Sequence, residues 1–309
     1  MGKEIVASPI LKWAGSKLRL IKQIETHLPS FNSRFDYYIE PFVGGGALLF
    51  WMLNNRSEFF GHAIAYDHNR DLINMYKTVQ ADVESLIDQL KCLQAEIRAS
   101  KDPQEYYLAR RTEYNSLNTT DVVRRSALLV FLNRTCFNGL YRVNRYGEFN
   151  VPYGKRPNAL ICNTEVLRKD SEILKCVEFV CGDYSEALAP DGFNNHVFYY
   201  FDPPYRPLSS TSNFDRYTKD VFGEQQQIEL AKHCQELDRQ GAFLMISNSD
   251  TSAVRPDDRF YQRYFPVSQF YHHRVFAPRL VNANPQKRGP IPEILITNYR
   301  PSRLNIRKS

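Results

Sequence analysis

The sequence lacks the features that mark membrane, secreted and zinc-binding proteins. No apolar run approaches the roughly 20 residues that a membrane-spanning helix needs, and the N-terminus carries no apolar signal-peptide segment. The six cysteines include no C-x-x-C pair, and several lie within apolar runs, so they indicate buried thiols in a reducing compartment. We therefore expect a cytoplasmic protein without a disulfide framework, a bound metal or a membrane partner.

Charge of one sign is only mildly in excess. Lysine and arginine number 40 against 34 aspartates and glutamates, which gives a formal net charge of +6. Such a balance permits a polyanionic partner but does not require one. With 309 residues, 43% of them hydrophobic, the chain is long enough for one large domain or two.

The stretch Asp202-Pro203-Pro204-Tyr205 carries the strongest chemical signal. It follows the apolar run 197–201, which predicts a buried strand because it is rich in β-forming residues and is closed by prolines. The prolines restrict the backbone and offer no N–H, so the turn presents one carboxylate, exposed carbonyls and an aromatic face. Ligands of open α/β sheets bind at this end of the strands.

Such a group suits a planar aromatic amine. The lone pair of that amine is delocalised into its ring, which makes the nitrogen a poor nucleophile. Asp202 and the carbonyl oxygen of Pro203 can accept its two N–H bonds and favour a pyramidal nitrogen, and Tyr205 can stack on the ring. The four residues alone leave open an ordinary proline turn with Tyr205 in the core.

A glycine loop lies between a predicted strand ending at Glu40 and a predicted apolar helix. Gly44, Gly45 and Gly46 let the backbone approach a ligand closely, and the first N–H groups of the helix would face that ligand. A dinucleotide loop requires Gly-x-Gly-x-x-Gly, and Leu49 takes the third glycine's place. The pattern therefore favours a nucleoside ligand without a pyrophosphate, with a purely structural turn as the alternative.

Further candidates flank other predicted elements. Asp67 ends a second strand about 20 residues past the glycine loop, where an acid commonly takes ribose hydroxyls, although it could also cap a helix. Asp183 and Tyr184 follow a third strand and could bind the amine and face of a purine, or form a plain turn. Lys17 precedes a helix-like stretch and could bind a carboxylate or phosphate; a surface lysine beside a core Trp13 is the alternative.

An insertion interrupts the β/α alternation from about residue 70. Residues 70–133 show helical periodicity, and 134–156 interleave arginines, aromatics, asparagines and turn glycines in a predicted hairpin with its turn near 145–147. Arginine and asparagine are the main readers of base edges, and aromatics stack on bases. We predict DNA contacts here, against the alternative of a solvated hairpin. The candidates are Arg134, Asn138, Tyr141, Arg142, Asn144, Arg145, Tyr146 and Lys155.

Two polar stretches near the C-terminal half complete the candidates. Residues 209–217 could close over a substrate, with Phe214 and Tyr217 as covering aromatics, or form an idle surface loop. Residues 282–289 lie in a basic tail and are a candidate for phosphate contact.

Taken together, these residues resemble the DNA adenine methylase (Dam-like) family of N6-adenine-specific DNA methyltransferases. The resemblance spans nearly the whole chain, and its segments are far more specific in this order than singly. The segments are Lys12-Trp13-Ala14-Gly15-Ser16-Lys17, Glu40-Pro41-Phe42-Val43-Gly44-Gly45-Gly46, Asp67, Asn138-Gly139-Leu140-Tyr141-Arg142, Gly147-Glu148-Phe149-Asn150-Val151-Pro152, Asp183-Tyr184 and Asp202-Pro203-Pro204-Tyr205.

The resemblance implies an α/β fold, a Rossmann-like S-adenosylmethionine-dependent methyltransferase sheet with an inserted, mainly helical target-recognition domain. It implies a discontinuous catalytic domain, 1–69 and 160–309, and a target-recognition domain, 70–159, that carries the hairpin. The implied cofactor is S-adenosylmethionine. Its implied ligands are Trp13 and Lys17 at the methionine end, Glu40, Phe42, Gly44 and Gly46 around it, Asp67 at the ribose, Asp183 and Tyr184 at the adenine, and Asp202, which with Pro203, Pro204 and Tyr205 holds the target base.

The implied reaction is direct displacement at the sulfonium methyl by the N6 nitrogen of an adenine that has left the duplex. It requires no metal and no covalent nucleophile. The implied partner is double-stranded DNA, with a cognate restriction endonuclease left open, and we expect a monomer.

The target sequence is a weaker inference. Residues 142–152 are similar to the hairpin of GATC-modifying members, but Arg145-Tyr146 stand where those carry Leu-Arg, so GATC is a hypothesis. RNA adenine or a protein amide are alternative substrates, and a catalytically silent DNA-binding protein is a further alternative. Leu49 disfavours a nicotinamide oxidoreductase.

Overall fold

The structure is a computed structural model that describes residues 5–30, 34–118, 120–190, 196–207, 222–277 and 291–301. The helices are α1 (Ile21–Glu25), α2 (Ala47–Asn55), α3 (Arg70–Ala81), α4 (Val83–Ala99), α5 (Pro103–Ser116), α6 (Val122–Thr135), α7 (Thr164–Leu174), α8 (Glu224–Arg239) and α9 (Phe260–Tyr264). The strands are β1 (Phe35–Glu40), β2 (Phe60–Asp67), β3 (Val177–Cys181), β4 (Val197–Phe201), β5 (Phe243–Ser249), β6 (Tyr271–Ala277) and β7 (Ile291–Thr297).

The strands form one seven-stranded sheet in the order β3-β2-β1-β4-β5-β7-β6. The first five are parallel, whereas β7 runs antiparallel to both β5 and β6. Because the chain leaves β1 towards β2 on one side and later returns to β4 on the other, the strand order reverses between β1 and β4. Ligands of doubly wound sheets bind at this switch point. The predicted α/β methyltransferase sheet is confirmed.

β4 explains why the sheet lies at the centre of the molecule. All five of its residues are buried, and successive side chains point to opposite faces of a strand. Phe198 and Tyr200 belong to the larger core cluster, with residues of α2 to α7, while Tyr199 and Phe201 belong to a second cluster with α8. The sheet is therefore covered on both faces, as a continuous apolar strand requires.

Each of the five successive helices α3 to α7 has an N-cap residue whose side chain accepts a backbone N–H of the first turn. Such capping satisfies donors that a helix leaves unpaired, and Asn or Asp is among the best residues for it. The polar residues between the apolar segments thus set where each helix starts. The caps are Asn69, Asp82, Asp102, Asp121 and Asn163.

The chain between β2 and β3 is helical in α3 to α6, as its periodicity predicts. Leu86, Leu90, Leu93 and Ile97 form the fully buried face of α4. Helix α3 also packs against β2 and β3, and one buried cluster runs from the sheet into the insertion. The proposed boundary at residue 70 thus coincides with no break in packing, and the division into two domains stays a prediction.

The predicted hairpin is present as a tight turn with two isolated β-bridges rather than as long strands. Gly147 has φ +81° and donates its N–H to the carbonyl of Asn144 at 3.0 Å, which places the turn where the sequence predicted it. The stretches 209–217 and 282–289 lie outside the described residues. In the part of the chain that is described, no helix is long and apolar enough to cross a membrane.

Candidate active site

The carboxyl ends of four parallel strands meet in one cleft of about 1370 Å³. Glu40 ends β1, Asp67 ends β2, and Asp183 and Asp202 follow β3 and β4. Parallel strands bring their ends to the same edge of a sheet, which is why residues so distant in sequence share the cleft. The predicted cofactor and base-binding residues that line it are Trp13, Lys17, Glu40, Phe42, Gly44, Asp67, Asp183, Tyr184, Asp202, Pro203, Pro204 and Tyr205.

The glycine loop is shaped by Trp13. A Cβ atom on Gly44 would lie 2.9 Å from the indole Cδ1, and one on Gly45 would lie 2.8 Å from Cβ of the tryptophan. Only glycine permits this approach, and Gly44 also has φ +47°. Gly46 does not line the cleft: it starts α2 with φ +69°, and its added Cβ would lie 2.9 Å from the hydroxyl of Tyr76. Gly46 thus shapes the loop, and its predicted part in cofactor binding stays a prediction.

Asp67 ties this loop to β2. Its Oδ2 accepts the N–H of Gly44 at 3.0 Å, and its Oδ1 accepts the N–H of Asn69 at 2.9 Å. Burial raises the pKa of Asp67, with these two bonds opposing the rise. The alternative of a helix cap is wrong for Asp67, because Asn69 caps α3.

Lys17 and Asp202 form an ion pair within the cleft. The ammonium lies 2.8 Å from Oδ1 of Asp202, donates to the carbonyl of Gly15 at 2.6 Å, and lies 4.6 Å from the ring centroid of Tyr205. The side chain of Lys17 is only 4% exposed, so the alternative of a surface lysine is wrong. Burial raises the pKa of Asp202 even though Lys17 opposes the rise.

The turn after β4 is held by residues that the sequence did not single out as functional. Gln227 on α8 donates to the carbonyl of Pro204 at 2.7 Å, and Asn248 on β5 accepts the N–H of Arg206 at 3.0 Å. The guanidinium of Arg206 lies 4.0 Å from the ring centroid of Phe260. Because these partners come from α8, β5 and α9, no local pattern identifies them. Arg206, buried itself, also binds Glu224, Thr251 and Asp258.

Aromatic rings also line the cleft. Phe42 and Tyr184 stack with centroids 5.3 Å apart and an interplanar angle of 25°, and Phe222 meets both edge-on. Asp183 accepts the N–H of Ser185 at 2.9 Å and its hydroxyl at 2.6 Å, which caps a short 3₁₀ turn. Asp183 thus has the turn role that the sequence left open, with its side chain still at the cleft.

Acidic side chains dominate the cleft. Burial raises the pKa of Glu40 to about 8, although a hydrogen bond from Tyr38 opposes the rise. A cationic ligand would favour the ionised form of the Glu40 carboxyl, because opposite charge stabilises a carboxylate. Among the described lining residues, the carboxylates Glu40, Asp67, Asp183, Asp202 and Glu229 face one lysine, Lys17.

Comparison with known proteins agrees with this cleft. A family described as D12 class N6 adenine-specific DNA methyltransferases matches residues 13–265. The chain belongs to this family. The family predicted from the motifs is thus confirmed, and the protein is an adenine-specific DNA methyltransferase.

Three relatives illustrate the similarity of this methyltransferase to known enzymes. It is 42% identical over 297 residues to the type II methyltransferase M.MjaIII of Methanocaldococcus jannaschii, covering 94% of this chain and 99% of the relative. It is 35% identical to the type II methyltransferase M1.LlaDCHI of Lactococcus lactis, covering 94% and 95%. It is 33% identical to the DNA adenine methylase of Escherichia coli, again covering 94% and 95%.

The hairpin of the methyltransferase presents part of its predicted DNA-binding set. Arg145 and Tyr146 are exposed at the tip, with the guanidinium 4.7 Å from the phenol centroid. Arg142 is exposed and donates to Oδ1 of Asn150 at 2.7 Å. Asn138 and Lys155 are exposed and have positive φ angles, and Asn144 is half-buried, since its side chain accepts two N–H bonds within the turn.

Two further residues of the predicted DNA-binding set are half-buried and contact the N-terminal segment. Arg134 donates to the carbonyl of Ile10 at 2.5 Å, and burial lowers its pKa. Tyr141 stacks on Trp13 with centroids 5.3 Å apart and meets Phe149 edge-on. Their predicted contact with DNA stays a prediction, because composition identifies residue types but not the direction in which packing turns them.

The structure adds a link between the insertion and the cleft that the sequence analysis did not contain. Asn133, fully buried near the end of α6, accepts the N–H of Lys12 at 2.8 Å and donates to its carbonyl at 2.8 Å. It also donates to the carbonyl of Gly139 at 3.0 Å. The amide thus holds the backbone beside Trp13 as a neighbouring strand would.

Proposed function

We propose that this methyltransferase transfers a methyl group from S-adenosylmethionine to N6 of an adenine flipped out of double-stranded DNA. The observation that carries the proposal is the junction of the glycine loop after β1 with Asp202 to Tyr205 after β4. A nucleoside site and an amine-binding site thereby adjoin in one cleft. Its volume of about 1370 Å³ exceeds the ~300–1,000 Å³ of ordinary ligand pockets, as two ligands side by side would need.

The residues of the cleft fit the cofactor. S-adenosylmethionine supplies a transferable methyl group on a positively charged sulfonium. The acidic lining suits a cationic ligand, and Trp13 adds an aromatic face that favours a cation. Lys17 would take the carboxylate of the methionine end. Asp67 already accepts two N–H groups, but each carboxylate oxygen has a second lone pair for a ribose hydroxyl.

At the nucleoside end, Phe42 and Tyr184 provide aromatic surface for the adenine of the cofactor, and Asp183 an acceptor for its amine. Their stacking shows that the rings are already arranged face to face. An aromatic pair that is ordered before binding loses less conformational entropy when the ligand arrives.

The target adenine would lie against Asp202 and Tyr205. Its amine would donate to the carboxylate and to the carbonyl oxygen of Pro203, and its ring would stack on the phenol. Lys17 holds Oδ1 of Asp202 and lies 4.6 Å from the centroid of the Tyr205 ring, so the amine would use the second carboxylate oxygen or displace the ammonium. The chain's part in the reaction is to position the amine and to exclude water.

Duplex DNA is favoured over the alternative substrates by the hairpin. Arg145 and Tyr146 offer a cation and an aromatic at its exposed tip, where side chains can reach base edges in a groove. RNA adenine and a protein amide offer no comparable groove. GATC stays the proposed target. Arg145-Tyr146 at the tip stand where GATC-modifying members carry Leu-Arg, so the tip is where a contact with a base would change. The type II names of two relatives support a role beside a cognate restriction endonuclease.

Substitution of Asp202 tests the proposal. We expect Asp202→Ala to abolish methylation of DNA, measured with tritiated cofactor, while circular dichroism and thermal unfolding show a retained fold. The matched control is Asp88→Ala, which removes an exposed carboxylate from α4 and should leave activity unchanged. Full activity of Asp202→Ala would refute the assignment.

Two further measurements separate the alternatives. Calorimetric titration with S-adenosylmethionine distinguishes an enzyme from a catalytically silent DNA-binding protein, which would not bind it. Sequencing of methylated positions in DNA from cells that express the chain identifies the target, and methyl transfer to RNA or protein but not to duplex DNA would contradict the substrate.

A further inference from the structure

The hydroxyl of Tyr205 contacts two antiparallel strands of the sheet, β5 and β7. We propose that Glu293 on β7 is a positioning residue that fixes the phenol ring on which the target base stacks. This inference rests on the proposed function, because it gives a purpose to the ring's orientation. Glu293 does not line the cleft, so it would act only through Tyr205.

The contacts converge on the phenol oxygen. Tyr205 donates its hydroxyl to Oε2 of Glu293 at 2.5 Å, and its oxygen lies 2.7 Å from the hydroxyl of Ser247. Both distances lie within the ~2.5–3.0 Å range of O–H···O hydrogen bonds. Two hydrogen bonds therefore fix the hydroxyl end of the ring, while the proline turn fixes the backbone to which the ring is attached.

The sheet explains why these two partners meet there. Ser247 on β5 is opposite Leu295 on β7, and Ser249 is opposite Glu293. Glu293 is thus the diagonal neighbour of Ser247, a separation that long side chains can span. β7 consequently brings a carboxylate to a catalytic turn from which it is separated by 88 residues in the chain.

Glu293 is suited to this contact because it is partly withdrawn from water. Burial raises its pKa, opposed first by the charge of Lys17 and then by the bond from Tyr205. Among the described residues Glu293 forms no ion pair. A partly buried carboxyl group that has no ion-pair partner is stabilised by a hydrogen bond from a hydroxyl, and Tyr205 donates that bond.

An oriented ring matters for stacking. A free tyrosine side chain loses rotamer freedom when a base binds to it, and an ordered one does not. Without Glu293, the target base would bind more weakly, by roughly two- to tenfold, while the methyl donor would bind as before. The effect should therefore fall on KM for DNA more than on kcat.

Four variants test the proposal, namely Glu293→Ala, Glu293→Gln, Tyr205→Phe and the double variant of Glu293→Ala with Tyr205→Phe. The measurements are kcat and KM for duplex DNA, the affinity for S-adenosylmethionine by calorimetry, and the fluorescence of 2-aminopurine at the target position. We expect Glu293→Ala to raise KM for DNA and to leave more of the 2-aminopurine signal unquenched. Glu293→Gln should restore both, because its amide oxygen still accepts the phenol proton.

The double variant gives the sharpest outcome. Glu293→Ala and Tyr205→Phe break the same hydrogen bond, so their effects on KM should be far from additive. The control Glu178→Ala removes an exposed carboxylate from β3 of the same sheet and should change nothing. Additive effects, or no rescue by Glu293→Gln in a folded protein, would overturn the proposal. If the wild type methylated no adenine in duplex DNA, the proposed function itself would fail, which is a distinguishable result.

Discussion

Replacing Asn133 with alanine tests whether the helical insertion holds one wall of the cleft. Its amide makes three hydrogen bonds, two to Lys12 and one to the carbonyl of Gly139, all within 3.0 Å. Trp13, which follows Lys12 in the chain, packs on the glycine loop and lines the cleft. A more mobile backbone at Lys12 should therefore disturb the position of Trp13 and weaken cofactor binding.

The expected loss of stability follows from the bonds. A neutral hydrogen bond contributes about 1 kcal/mol net, so Asn133→Ala should lower the free energy of unfolding by about 3 kcal/mol. Buried backbone groups left without partners can add to this loss. A protein with a stability of about 5–15 kcal/mol survives such a change as a folded chain.

A second asparagine provides a matched control. Asn115 on α5 accepts the N–H of Phe149 at 2.9 Å and donates to its carbonyl at 3.1 Å, within the insertion and away from Lys12. Asn115→Ala should lower the free energy of unfolding by about 2 kcal/mol, measured by urea denaturation. Both variants therefore lose stability, but only one loosens the segment that carries Trp13.

Calorimetric titration with S-adenosylmethionine separates the two variants. We expect Asn133→Ala to weaken binding about tenfold, equal to about 1.4 kcal/mol, and Asn115→Ala to leave it unchanged. If Asn133→Ala lost stability but bound the cofactor as tightly as the wild type, the inference that the insertion supports the cleft would be refuted.

Two further predictions concern charge. Burial raises the pKa of Glu40 from 4.5 to about 8, so between these values the folded chain holds a proton that the unfolded chain releases, and stability falls as pH rises. Glu40→Gln should remove that fall. The free energy of unfolding of the variant, measured with urea and compared with that of the wild type, should therefore increase from pH 5 to pH 8. A difference that does not change with pH would contradict the prediction. Arg145→Ala should lower affinity for the target duplex by about 1–3 kcal/mol, and affinity for other duplexes less. Arg168→Ala, which removes an exposed arginine of α7, is its control; an equal loss on all sequences would indicate phosphate contact instead.

The sequence predicted the cleft well because its signals are local. Strand β4 is an unbroken apolar run that ends at two prolines, and the glycine loop follows directly on β1. Once a parallel sheet is inferred, the ends of its strands must share one edge, which places Glu40, Asp67, Asp183 and Asp202 together. Neither step depends on contacts between distant segments.

The parts that the sequence did not predict depend on tertiary packing. Only Val275 of β6 is buried, so this strand lacks the apolar pattern that marks β4, and β7 joins the sheet by pairing with β5. Glu293 therefore carried no local sign of its contact with Tyr205. Arg134 and Tyr141 have the composition of DNA-contacting residues, yet their directions are set by the N-terminal segment packed against them.

Lys17 shows how a single turn can reverse an inference from sequence. A lysine just before a short helix is ordinarily solvated, because its charge is costly to bury without a partner. Here Gly15 adopts φ +77°, a conformation that a side chain would strain, and the turn at Gly15 brings the ammonium onto the Gly15 carbonyl and Asp202. The ammonium is thus held inside the cleft by two acceptors of the chain. The charge of Asp202 is consequently balanced by a cation of the chain itself, a pairing that depends on the turn and not on the residue type.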